Sequence, residues 1–292
     1  MDKLVSLFGD SLLKREDLIA RGEIPIPVIV GIEPAKENAE MTAAFSSLMG
    51  MSTMIRLFAA INQIQAAKDS ERNTPYNIND PEQIAMGFQD RADATLRTLS
   101  GGAMAFVYEQ VDSTTLSVVP ALRREEIQPF ILKTILSGIS QINADTSSAL
   151  SEYMKDFIKD LKPFKIVPSP EHTKLSHCIL INYVKSIDLT GGGKIFVLER
   201  YTRLVHLKIK IEDWTHALTK PPFLKRNEKI PFAVDFTIAD YKLDEGKYQA
   251  AKPKWERVVQ IIPNEDNIKE ILDKGGIEAF GRNTVFLAYT EG

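Results

Sequence analysis

Two stretches of apolar–polar alternation limit what this chain can become. Val205, Leu207, Ile209 and Ile211 alternate with His206, Lys208 and Lys210. The pattern returns with Phe232, Val234, Phe236 and Ile238 set against Ala233, Asp235, Thr237 and Ala239. A period of two sends successive side chains to opposite faces of a strand, so each stretch predicts a strand with one face buried and one face available. Residues 212–230 between them carry Pro221-Pro222 and four cations. Neither proline can donate to a ladder, so a long excursion joins the two strands, not a tight hairpin. Residues 195–198 read as a further strand. The run Thr190-Gly191-Gly192-Gly193 reads as the hairpin turn that links it to a strand over 178–187. The expectation is an antiparallel sheet of at least four strands.

The first half reads differently. Leu4, Leu7, Phe8, Leu12 and Leu13 suggest short amphipathic helices ended by Gly22. In Ile24-Pro25-Ile26-Pro27-Val28 each proline drives the residue before it toward extended geometry, predicting an edge strand or an arm laid over a neighbour. From Met41 to Ala67 the only charge is Arg56, and Met41, Ala44, Phe45, Leu48, Ile55 and Phe58 recur at helical spacing, thickened by Met49, Met51 and Met54. Such a helix would be about 40 Å long unless Gly50 breaks it. The polar residues Thr42, Ser46, Ser52, Thr53, Asn62 and Gln63 argue against a membrane span. A buried core helix and a partner-facing helix both fit, since Met-rich faces adapt well to partners. Asp80 caps a helix with Pro81 first inside, ended by Gly101-Gly102. Residues 103–120 read as a strand pair turning at Asp112-Ser113, and further helices follow around Ile131–Ile142 and Leu150–Leu161. Pro163, Pro168 and Pro170 mark a boundary. Residues 244–263 are polar but hold Tyr248 and Trp255, and 283–289 reads as a last strand. The expected class is therefore α+β: a mainly helical unit over 1–165 with an extended N-terminal arm, then a mainly antiparallel β unit over 166–292.

At 292 residues the chain can bury a full core, and its 44% hydrophobic and 26% charged residues are ordinary for a soluble globular protein. The single cysteine, Cys178, excludes an internal disulfide, and charges at Asp2, Lys3, Asp10 and Lys14 interrupt any signal-peptide core. Synthesis in the cytoplasm without a signal peptide is the default expectation. The net charge of −3 argues against a dedicated nucleic-acid binder. Residues 194–229 nevertheless hold nine Lys/Arg against four Asp/Glu, a local +5 that includes Lys208, Lys210, Lys225 and Arg226. A solvated strand face explains it, and so does a patch for an acidic partner or a phosphate backbone.

Chemistry is hard to find. His172, His177, His206 and His216 form no HExxH, and one cysteine allows no CxxC, so no zinc spacing is present. His177 and Cys178 are adjacent, which on a strand points them to opposite faces. Gly191-Gly192-Gly193-Lys194 has Ile195 where a phosphate loop needs Ser or Thr, and a strand follows it instead of a helix. No serine-hydrolase elbow, dinucleotide fingerprint or kinase set occurs. No cofactor or metal is expected.

The run over 204–211, followed by Lys225-Arg226 and the F-x-V-x-F-x-I strand of Phe232, Val234, Phe236 and Ile238, resembles strand pairs in structural proteins of tailed-phage tails and baseplates. The resemblance spans about residues 199–243. It implies a virion component built into a ring or tube by strand pairing and helix packing, without catalysis. The expected function is thus a non-catalytic structural or assembly component, in a phage tail, neck or baseplate, with copies of itself and other structural proteins as partners. Its contact residues would be Ile24, Ile26, Val28, Met49, Met51, Met54, Phe58, Lys208, Lys210, Lys225, Arg226, Val285 and Leu287. The alternatives are an enzyme with a site between the two halves, and a nucleic-acid-associated protein using residues 194–229.

Overall fold

The run with a single charge folds as one helix, α1 (Ala39–Asp69), and Gly50 does not break it. Gly50 lies where α1 passes close to Tyr248: a Cβ there would sit 3.2 Å from the tyrosine hydroxyl. The computed structural model of the protein describes residues 28–32, 39–69, 80–139, 173–190, 196–213 and 229–261. Ile24, Ile26, Lys225, Arg226, Val285 and Leu287 lie outside the described residues, as do the helices expected over 4–19 and 150–161.

Asp80 and Pro81 open the next helix, α2 (Pro81–Ser100), as the capping pattern requires. A six-residue helix, α3 (Gly102–Val107), then leads straight into a strand. Beyond it α4 (Arg124–Ile135) begins with the Glu126 carboxylate accepting from the Arg123 backbone N–H at 2.8 Å, one half of a capping box. The last described helix is α5 (Glu245–Ile261).

Five strands form the main sheet: β1 (Val28–Ile32), β2 (Tyr108–Val118), β4 (Lys174–Asp188), β5 (Phe196–Lys210) and β7 (Val234–Leu243). Their order is β1-β4-β5-β7-β2, and a two-residue pair, β3 (Ala121–Leu122) with β6 (Ile230–Pro231), stands beside it. β1 runs parallel to β4, and the other neighbours are antiparallel. The class is α+β. The separation of helices before residue 165 from strands after it does not carry over to the sheet, which takes β1 and β2 from the first half.

Helices cover both faces of the central strands. On one face Leu48, Met51, Met54, Ile55 and Phe58 of α1 pack with Cys178, Leu180, Leu204, Ala239 and Tyr241. On the other, Ile127, Ile131 and Ile135 of α4 pack with Ile179, Ile181, Val205, Leu207 and Phe236. β5 is therefore buried on both sides from Tyr201 to Leu207, which corrects the expectation of an available polar face. Two other readings change. β5 is one strand of fifteen residues where the sequence suggested two, and 103–120 is a helix followed by a single strand, not a strand pair.

The polar residues inside the sheet bond to one another. Asn182 donates to Ser52 Oγ at 2.7 Å and accepts from Thr202 at 2.8 Å. Thr202 in turn meets the Tyr108 hydroxyl at 2.8 Å. This chain ties α1 to the start of β2 through two strands. On the opposite face the Arg203 guanidinium donates to both oxygens of Asp240 at 2.7 Å each, and to the carbonyls of Ile135 at 3.0 Å and Ser137 at 2.6 Å. Burial opposes the Arg203 charge, but the Asp240 hydrogen bonds outweigh it and raise the guanidinium pKa. The end of α4 is thereby fastened to the sheet.

Candidate interaction edge

The expected contact residues on α1 are mostly interior. Met51, Met54 and Phe58 are at most 5% exposed and belong to the core, so they are not available to a partner. Met49 alone of the group reaches the surface, with its sulfur 3.8 Å from the Asn182 amide. Val28 lies in β1, opposite Ile179. Lys210 pairs with Glu212 at 2.7 Å, and Lys208 is half-buried opposite Asp235. The described cations of the basic stretch thus form no continuous basic surface.

The possible chemical residues are equally occupied or enclosed. Cys178 is buried with its thiol toward the Ala92 carbonyl, and burial pushes its pKa up, which disfavours the thiolate. His206 lies in the core, where burial, with Lys208 adding to it, pulls its pKa down to about 4. Asp240 is committed to Arg203, and Asp235 to Lys174, which lowers the Asp235 pKa. Among the described residues no group of three metal-ligating side chains occurs.

The sheet ends on β1 at one edge and on β2 at the other, and β2, eleven residues long, is the longer of the two. Its first residue is fixed: Tyr108 is 5% exposed, bonds Thr202, and meets Tyr241 edge to face at 6.3 Å. From Glu109 to Ser117 every residue is exposed. The helical layers meet this strand only at its ends, Tyr108 in the cluster with α1 and Val118 against the cluster with α4, and among the described residues no strand pairs with its outer side. The register to β7 shifts between Gln110 and Asp112, so Val111 sits in a bulge and is 46% exposed. Beyond it Asp112–Val118 runs regularly against Asp240–Val234. Asp112, Thr114 and Leu116 share one face and Ser113, Thr115 and Ser117 the other. The Asp112 carboxylate accepts from the Ser113 N–H at 2.8 Å. Leu116 at 41% and Val119 at 67% exposure complete an apolar margin. Pro120 follows, and its carbonyl accepts from the Phe232 N–H at 3.0 Å.

Long edge strands are normally guarded by lysine, proline, a bulge or a covering element. Here the bulge at Val111 and Pro120 guard the two ends, and among the described residues nothing covers Asp112–Ser117 between them. From Gly101 to Leu122 there is no Lys or Arg, and the acids are Glu109 and Asp112. The sequence suggested strand structure here but divided it at Asp112-Ser113, because β2 has no alternation to follow: both faces meet water, so nothing selects apolar residues on one of them. The usable signal was the run of β-branched Thr114 and Thr115 beside Val111, Val118 and Val119, with no cation.

A second exposed feature is the distal β4–β5 hairpin. Five residue pairs, from Val184–Arg200 to Asp188–Phe196, extend past the last pairings with β1 and β7. At about 3.4 Å per residue they project roughly 17 Å. Ile187, Leu189 and Val197 are exposed there. The base is braced internally: Tyr183 and Tyr201 stack at 5.1 Å, Lys185 lies 4.6 Å from the Tyr201 ring, and Glu199 is held by Lys242 and the Tyr201 hydroxyl.

Comparison with known proteins assigns this chain no family. No family model matches the sequence. No curated protein matches it either. Among solved structures, the Evf virulence factor is 10% identical, with a TM-score of 0.44 over 89% of this chain and 87% of its own. A delta-endotoxin is 12% identical, with a TM-score of 0.37 over 76% of this chain and 82% of its own. The activated Cyt2Ba monomer from Bacillus thuringiensis subsp. israelensis is 11% identical, with a TM-score of 0.33 over 75% of this chain and 98% of its own. At this level the likenesses assign no activity. None of them is a phage tail or baseplate protein, and the expected role as a phage structural component is withdrawn. The structure supplies a physical reason as well. The strands that carried the resemblance, β5 and β7, lie inside the sheet with both of their edges paired, so they offer no edge to a neighbouring subunit. Among the described residues no helix is long and apolar enough to cross a membrane.

Proposed function

We propose that this protein acts by binding, not by catalysis, and that it binds by accepting a strand at the outer edge of β2. The observation that carries the reading is the unbroken exposure of Glu109–Ser117 on the last strand of the sheet. Such an edge presents a row of backbone N–H and C=O groups to any extended chain that comes alongside. The rest of the molecule is consistent with a rigid platform for it. Buried polar groups on both faces hold the sheet together, and the cysteine and His206 are enclosed and uncharged at neutral pH. The ladder formed on binding supplies affinity through the backbone, and the side chains at alternate positions supply selectivity.

Amide hydrogen exchange tests this. As protein or partner concentration rises, the β2 amides that point away from β7 gain protection while exposed loop amides do not. If β2 exchanges at the same rate at every concentration and with every partner tried, the reading fails.

A further inference from the structure

We infer that the strand accepted by β2 is β2 of a second copy of this chain, paired antiparallel about a two-fold axis at Thr115. The inference rests on the strand-acceptor reading and names its partner and register. The first constraint is length. The bulge at Val111 ends the regular ladder on one side, and Pro120, which has no N–H, ends it soon after Val118 on the other. Asp112–Val118 is thus the run that a partner can follow without a break.

The second constraint is symmetry. A two-fold axis perpendicular to the sheet makes adjacent strands antiparallel and keeps each face continuous across the junction, so paired residues come from the same face. Centred on Thr115, the arrangement pairs Asp112 with Val118 of the second copy, Ser113 with Ser117, Thr114 with Leu116, and Thr115 with itself. All seven regular residues are then used. A centre one residue away, at Thr114 or Leu116, pairs only five before it meets the bulge or the strand end.

The third constraint is charge. Asp112 is the only charged residue in the run. Parallel in-register pairing would set the two Asp112 carboxylates side by side, which is destabilising. In the antiparallel arrangement each faces a valine, and the two lie about six residues apart along the ladder. That is roughly 20 Å at about 3.4 Å per residue, beyond the screening length of about 8 Å at physiological salt. With one carboxylate and no cation, the run requires no basic partner, and its own copy fits it without repulsion. The product is one continuous sheet of two sets of five strands.

Directly opposed residues in an antiparallel pair lie about 4.5–5.5 Å apart at Cα, within reach of a disulfide. Cys178, the one native cysteine, is buried and does not compete. The experiment is oxidative cross-linking of full-length variants, read on a non-reducing gel beside light scattering. Thr115→Cys is expected to give a disulfide-linked dimer. Ser113→Cys and Ser117→Cys are each expected to stay monomeric on the gel, but their equimolar mixture is expected to cross-link. If the protein dimerises by light scattering with β2 protected from exchange and Thr115→Cys does not cross-link, the register is overturned while strand acceptance at β2 stands; a dimer with β2 unprotected overturns both. If the wild type is a monomer at every concentration, and binds a foreign strand at β2 by hydrogen exchange, the second copy is overturned and the acceptor reading survives. A monomer with no β2 protection under any condition removes both.

Discussion

Replacing Arg203 with Met tests the account of how the sheet and α4 are joined. The wild-type guanidinium makes two bonds to Asp240 and two to the carbonyls of Ile135 and Ser137, and the ion-paired side chains are 5% and 8% exposed. Methionine fills much of the volume but leaves Asp240 buried without its partner. Breaking a buried pair in this way is destabilising by about 3–5 kcal/mol. At roughly 2–3 °C per kcal/mol for a chain of this size, the melting temperature falls by about 6–15 °C. A second variant separates the causes. In Arg203→Met/Asp240→Leu the stranded carboxylate is gone but the two carbonyls still lack their donor, so about half or more of the loss returns. The assay is thermal unfolding by circular dichroism at neutral pH. A single variant within about 1 kcal/mol of wild type, or a double variant no better than the single, would refute the reasoning.

His206 sets a pH dependence of stability. Its folded pKa, about 4, lies below the unfolded value of about 6.5, so the stability it confers is present above pH 6.5 and is lost as pH falls toward 4, at about 1.4 kcal/mol per pH unit at most. His206→Leu should flatten the melting temperature over that window, and an unchanged slope would exclude the histidine as the cause. Asn182→Leu removes the centre of the Ser52–Asn182–Thr202 chain, taking the Asn182 amide from Ser52 and leaving Thr202 with Tyr108 alone, so urea unfolding should show a loss of about 1–3 kcal/mol. Cys178 should resist a water-soluble thiol reagent in the native protein and react fully in denaturant, because it is 2% exposed. Pairing seven residues at β2 forms about six to eight interchain hydrogen bonds, each worth about 0.5–1.5 kcal/mol net before association entropy is subtracted, so the dimer should be weak, near micromolar or above.

Where the sequence announced the structure, the local pattern and the tertiary environment agreed. α1 and α2 carried helical spacing and an Asp80-Pro81 start, and β7 carried its alternation. Where it misled, a distant partner changed the meaning of a residue. Arg200 and Arg203 lie between the two stretches read as separate strands, yet Asp240 and Glu245, far along the chain, pair with them inside one continuous strand. The methionines of α1 mark an adaptable apolar face, but the sequence does not say that Cys178, Leu180 and Leu204 will cover it. α5 was hidden by Pro253 and a polar composition, although Tyr248, Ala251 and Trp255 recur at helical spacing. The candidate edge was the least legible part, because a strand exposed on both faces has no period to read.

The most direct test of the central claim is sedimentation velocity over a concentration series, comparing wild type with Thr115→Lys. The substitution is on the surface and should leave the melting temperature unchanged within about 0.5 kcal/mol of stability. It places like charges face to face across the proposed junction. The account predicts that the wild type moves from monomer toward dimer as concentration rises and that Thr115→Lys remains a monomer throughout. Identical behaviour of the two proteins at every concentration would contradict it.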